Sequence, residues 1–245
     1  MKHLYKANMT RLLQNLLFIG GCAIAFVTTF LVSRNILVIS FLANRERQDR
    51  MFFVSAAMVA FFTIFVPIFT NIEYGDGVIR NKMIAGNTQK QIYFSHLFTH
   101  FTAAGIMWGC YMLGGICAGT FPDAKHLRIN LVFLLAVLGY IAAIMAISYR
   151  LKKIVEVVIF SMLIFSACFN TVMFGNAVIM DTRGNAQKIA AVFYNIPVLG
   201  QWFSNTGFAD AETNPGTFVQ LIISVSVTLI LTFLGTRNLK KRDLE

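Results

Sequence analysis

The sequence predicts an all-α integral membrane protein of six transmembrane helices, with an interfacial helix ahead of the first. Three observations carry that prediction. Hydrophobic residues make up 57% of the 245-residue chain and charged residues 13%, about half the charged share of a soluble domain. Long uncharged runs recur: 51–72 and 92–118 contain no Asp, Glu, Lys or Arg, and about 20 apolar residues suffice to cross a hydrocarbon core. All 21 Lys and Arg fall outside the apolar runs, as membrane topology requires.

Residues 3–14 read as an interfacial helix, because Tyr5, Met9, Leu12, Leu13 and Leu16 share one face with Lys6, Thr10 and Gln14 opposite. The competing reading is a plain extension of the first span. That span, 16–33, follows Lys2, Lys6 and Arg11 in the manner of a signal peptide, but no small-x-small cleavage site with a polar sequence behind it follows, so it reads as a retained span. The remaining spans are 51–72, 92–118, 129–148, 154–180 and 217–235. An even number puts both termini on one side. That side then holds 13 of the 21 basic residues and the other side 8, which places the termini in the cytoplasm of a multi-pass plasma-membrane protein. The segment 34–50 dissents, with Arg34, Arg45, Arg47 and Arg50 on the outer side.

The whole chain, 1–245, reads as one membrane domain. Between the second and third spans lies its most informative stretch, 73–90. Asp76 can cap a short helix with Ile79, Met83 and Ile84 on one face, and Gly86 suits the left-handed position that ends it. Thr88 and Gln91 then form a capping box opening the next span. Glu73 has three candidate partners: Arg80, Lys82 and the N-terminal helix. The connection 181–216 is the longest, and its apolar stretches with Pro197 and Trp202 place it at the bilayer interface or folded back into it.

The net charge of +10 does not imply nucleic acid, since the basic residues sit at span ends, where they set topology and meet the lipid bilayer. Cys22, Cys110, Cys117 and Cys168 all fall in spans and read as small buried residues. His96 and His100 share a helical face, but the glutamate of a zinc-protease motif and a third ligand are both lacking, so they read as structural. Gly105–Gly109 and Gly115–Gly119 are GxxxG steps suited to close helix packing. Asn170 and Asn176 are expected to bond a neighbouring helix, and Glu156 to pair with Lys152 or Lys153. No span carries a carboxylate at its centre, which argues against an ion-coupled transporter. Catalytic constellations, metal sites, cofactor sites and a phosphate loop are all missing from the pattern. If the chain drives uphill transport, the nucleotide chemistry lies on another chain.

The segment from Glu73 through Gly75, Asp76, Gly77, Ile79, Arg80, Met83, Ile84 and Gly86 to Thr88, with the basic ending 238–244, resembles the membrane subunits of ABC transporters of the ABC-2 type, among them small bacterial peptide or antibiotic exporters and immunity permeases. The resemblance extends over the whole chain in architecture. It implies a type V exporter-like permease in which 73–90 docks on a separate ATPase subunit, where ATP and Mg bind. It further implies a second permease copy or related permease around a path for an amphipathic substrate: a peptide, an antibiotic or a lipid-like molecule. In that family the amphipathic N-terminal helix matches Tyr5 to Leu16 and the outer re-entrant hairpin matches 181–216. The alternative is a non-transporting polytopic scaffold or sensor.

Overall fold

The computed structural model describes residues 1–151, 153–207, 211–237 and 239, and every element in those residues is a helix. They are α1 (Lys2–Leu13), α2 (Leu16–Ser33), α3 (Arg47–Val54), α4 (Ala56–Gly75), α5 (Val78–Ile84), α6 (Gln89–Cys117), α7 (Ala124–Ser148), α8 (Ile154–Asp181), α9 (Asn185–Tyr194), α10 (Val198–Asn205) and α11 (Thr217–Thr236), with single 3-10 turns at Ser40–Leu42 and Ala211–Thr213. The basic ending 238–245, apart from Leu239, and Lys152 lie outside the described residues.

Five stretches are long and apolar enough to cross a membrane: Leu16–Ser33, Arg47–Tyr74, Ala124–Ser148, Ile154–Asp181 and Thr217–Thr236. The expected third span is a helix, α6, but it is not among the five. Its 29 residues give about 43 Å at 1.5 Å per residue, ample for a crossing, so length is not the obstacle. Its first half carries Ser95, His96, Thr99 and His100, all fully buried, and these lower its hydropathy. The helix turns these polar groups into the protein.

α7 is the central element, packed along α11, α4, α6 and α10. Its Val137, Ile141, Ala142, Ile144 and Met145 are fully buried, while α8 and α11 leave broad apolar faces uncovered. α6 packs closely along α2 and against α3. A Cβ on Gly114 would overlap the carbonyl of Phe26, and one on Gly115 would overlap Met51. Of the two GxxxG steps, Gly105 and Gly109 face open space, and Gly119 ends α6 with φ of +79°. Small residues thus close the seam, but at Gly114 rather than at the first motif.

The Arg-rich stretch 34–50 folds on itself. Arg50, 9% exposed, donates to the carbonyls of Ser33, Ala43 and Arg45, satisfying the end of α2 from outside the helix. At this same end α9 packs on α8, and α10 packs on α7, α8 and α4 with Trp202 Nε1 donating to Phe52 O at 3.3 Å. A sealed amide network secures it. Gln220 Nε2 donates to Asn195 Oδ1 at 2.9 Å and to Ser204 Oγ at 2.9 Å, and Ser224 donates to Gln201 Oε1 at 3.0 Å. Asn170 instead bonds Ser166 of its own helix at 3.0 Å and stays exposed, so it does not reach the neighbour expected for it. Lys153 lies 3.9 Å from Glu156.

Candidate functional site

The 73–90 stretch joins α4 to α6 through α5, and its local signals decide its shape. α4 runs three residues beyond the expected end at 72, to Gly75, so Asp76 becomes its C-cap rather than the N-cap of the next helix. That is a correction to the expected cap. Gly77 takes φ of +67° as the N-cap of α5, a left-handed turn that glycine makes without strain. Gly86, with φ of +88°, ends the segment as expected. The capping box is present in both directions: Gln91 N donates to Thr88 Oγ1 at 3.3 Å and Thr88 N to Gln91 Oε1 at 2.9 Å.

α5 has two unlike faces. Ile79 is 3% exposed and packs with Leu4 of α1 and Ile92 of α6, with half-buried Met83 beside them. Ile84 is 76% exposed, and Asp76, Arg80, Asn81, Gly86 and Thr88 are exposed with it. Ile79, Met83 and Ile84 therefore do not share one face. The seven-residue helix offers a buried anchor and an outward ridge.

Glu73 holds this unit together. It is 4% exposed, and its carboxylate takes the Arg11 guanidinium on one oxygen and Lys82 Nζ, at 2.6 Å, on the other. His96 Nε2 lies 2.8 Å from the second oxygen. Lys82 also donates to Asn8 Oδ1 at 3.1 Å, and Asn8 Nδ2 donates to Ser95 Oγ at 3.1 Å. Arg11 reaches the Phe69 carbonyl and lies over the Phe69 ring, 3.8 Å from its centroid. Charge-assisted hydrogen bonds of this type are the stronger ones. Burial lowers the pKa of Arg11 while the Glu73 carboxylate opposes it. One carboxylate thus ties α1, α4, α5 and α6 into a single body.

An aromatic layer closes the site from the bundle side. Tyr149, just past α7, meets Tyr74, Tyr93 and His96 with ring centroids 5.6, 4.9 and 6.0 Å apart. His100, one turn beyond His96, bonds Thr70 at 3.1 Å. The two histidines are used separately. Among the described residues no group of three or more His, Cys, Asp and Glu is placed to hold a metal ion.

The sequence left Glu73 between Lys82, Arg80 and the N-terminal helix; Lys82 and Arg11 bind it together, and Arg80 is exposed. The N-terminal helix turns inward one position away from the expected stripe. Leu4, Asn8 and Leu12 are buried, Tyr5 and Met9 flank them half-buried, and Leu13 and Leu16 are exposed. The reason is Asn8, which a hydrophobicity stripe assigns to water but which has buried partners on two other elements. His96 was legible only as a structural histidine, since its partner is 23 residues away and no spacing links them. No family model matches the chain, and no curated protein or solved structure matches it significantly.

Proposed function

We propose that the chain is the membrane-spanning subunit of an ATP-driven ABC exporter of the ABC-2 type, with six spans and both termini in the cytoplasm. A separate ATPase subunit supplies ATP hydrolysis, and a second permease copy completes the path. The observation that supports this most is α5: a short helix between two long ones, fixed from behind by a buried ion cluster and carrying an exposed isoleucine, Ile84, on its outer ridge. A large apolar side chain exposed on a rigid mount is suited to a groove in a partner. With no phosphate loop in the sequence, that contact is where energy from a partner enters.

In this reading Ile84, Arg80 and Asn81 meet the ATPase, and Glu73 and Ile79 act indirectly by holding α5 in place. The substrate class is an amphipathic molecule, such as an antimicrobial peptide, an antibiotic or a lipid. The test is co-purification from native membranes in a mild detergent. Wild-type chain is expected to bring down an ATP-hydrolysing subunit, and Ile84→Asp to lose it while keeping its own yield and thermal midpoint. Recovery of no ATPase with the wild type, or equal recovery with Ile84→Asp, overturns the proposal.

A further inference from the structure

A second feature lies beside the ion cluster and needs only the membrane-embedded fold, not the transport reading. A groove of about 490 Å³ runs between α1 and α6, with Lys2 and Tyr5 on one wall and Phe98, Phe101 and Thr102 on the other. Its lining is mostly apolar, with its cation at one end. Thr102 Oγ1 donates to Phe98 O at 2.9 Å, so in its 2.8 Å contact with Tyr5 it accepts the tyrosine proton. The bond braces α1 against α6 and leaves the Tyr5 ring as a wall.

The depth of this groove follows from the chain path. Gln14 and Asn15 alone separate α1 from the first span, which begins at Leu16. α1 therefore lies at the membrane surface, where the span ends. Its charges are all of one sign: Lys2, Lys6 and Arg11, with no acidic residue in 2–13. α6 has no carboxylate in 89–117 either, and Lys90 adds a further cation at its start. Glu73 is the nearest buried acid and is already matched by Arg11 and Lys82. Lys6, exposed one turn from Lys2, makes no ion pair among the described residues.

We propose that this groove is a binding site for an acidic phospholipid, with the headgroup phosphate at Lys2, in the field of Lys6, and an acyl chain between Tyr5 and the Phe98–Phe101 wall. The chemistry of the two ends matches: a cationic rim for the phosphate and an apolar trough for the chain. A larger groove lined by α8 and α9 has no charged side chain in its lining. A bound lipid would hold α1 in the membrane plane and thereby steady the cluster at Glu73.

The test uses the full chain in a neutral detergent, titrated separately with dioleoylphosphatidylglycerol, dioleoylphosphatidylcholine and inorganic phosphate. Native mass spectrometry counts bound lipid, and the thermal midpoint is followed in parallel. Phosphatidylglycerol is expected to bind at least about fivefold tighter than phosphatidylcholine, the share of one lysine near an anionic lipid. Lys2→Glu should abolish that preference without changing the lipid-free midpoint, because Lys2 is exposed. Phe98→Ala should weaken both lipids, and Lys125→Glu, a charge reversal at the start of α7, should leave the preference intact. Inorganic phosphate should produce no shift, since it cannot use the trough. Equal binding of the two lipids by the wild type, a preference that survives Lys2→Glu, or a response to phosphate equal to that of the lipid would each overturn the proposal.

Discussion

Glu73 is the residue on which the polar architecture converges, and its replacement has a definite sign. Glu73→Gln keeps the shape but leaves Arg11 and Lys82 facing each other without a counter-charge. Breaking a buried pair from one side costs about 3–5 kcal/mol. The Arg11 side chain is 32% exposed, so water screens part of that and the expected loss is about 2–3 kcal/mol. Thermal unfolding of the purified chain reads it directly, and an unchanged midpoint would mean that the cluster contributes nothing. At the α2–α6 seam the contrast is steric. Gly114→Ala is expected to cost about 1–3 kcal/mol by overpacking against the Phe26 backbone, whereas Gly105→Ala meets nothing within 4 Å and should leave stability unchanged. Equal effects of the two would contradict the packing described.

At the scale of elements, the two isoleucines of α5 separate mounting from presentation. Ile79→Asp puts an uncompensated charge among Leu4 and Ile92 and is expected to cost about 3–5 kcal/mol, read as a lower midpoint and poor recovery. Ile84→Asp puts the same charge in water and should fold as the wild type does; a comparable loss of stability from Ile84→Asp would show that its side chain is packed after all. The helices themselves were legible. The long uncharged runs are helical, and the Thr88–Gln91 box and the terminal Gly86 stand where the sequence places them. The errors have physical causes. Asp76 looked like an N-cap because it is polar and precedes an apolar run, but continuation of α4 took it first. The side of α1 that packs inward was not legible, because Asn8 is buried through hydrogen bonds to Ser95 and Lys82 that lie 87 and 74 residues away, and no local periodicity registers them. At the opposite end of the bundle, Asp123 caps α7 by accepting from His126 N at 2.8 Å, a bond that holds its carboxyl below the usual range.

For the whole molecule, the number of crossings turns on the third expected span, α6. The five apolar stretches make this a membrane-embedded helical protein, and α6 decides between five crossings and six. A helix of 29 residues lying along α2, with its polar side chains folded inward, fits a sixth crossing: buried polar groups in membrane helices face the bundle interior. Single cysteines at Asn87 and Phe121, before and after α6, test this in intact cells or oriented vesicles. Labelling by a membrane-impermeant maleimide is expected at Phe121→Cys and not at Asn87→Cys; labelling of both from one side would remove α6 from the set of spans. Distant pairings such as Glu73 with Arg11 and the groove between α1 and α6 belong to this scale too. Composition gave their ingredients, and only the fold brings them together.

The proposed function sets the outward ridge of α5 against an ATP-hydrolysing partner. Its most direct measurement is a photo-cross-link from position 84 in native membranes, with a benzophenone amino acid in place of Ile84 and, as control, the same group in place of the exposed Phe174 on α8. An adduct is expected from position 84 whose second component is a protein with a phosphate-loop sequence, and no such adduct from position 174. An adduct lacking any nucleotide-binding protein at position 84, or the same adduct from both positions, would contradict it.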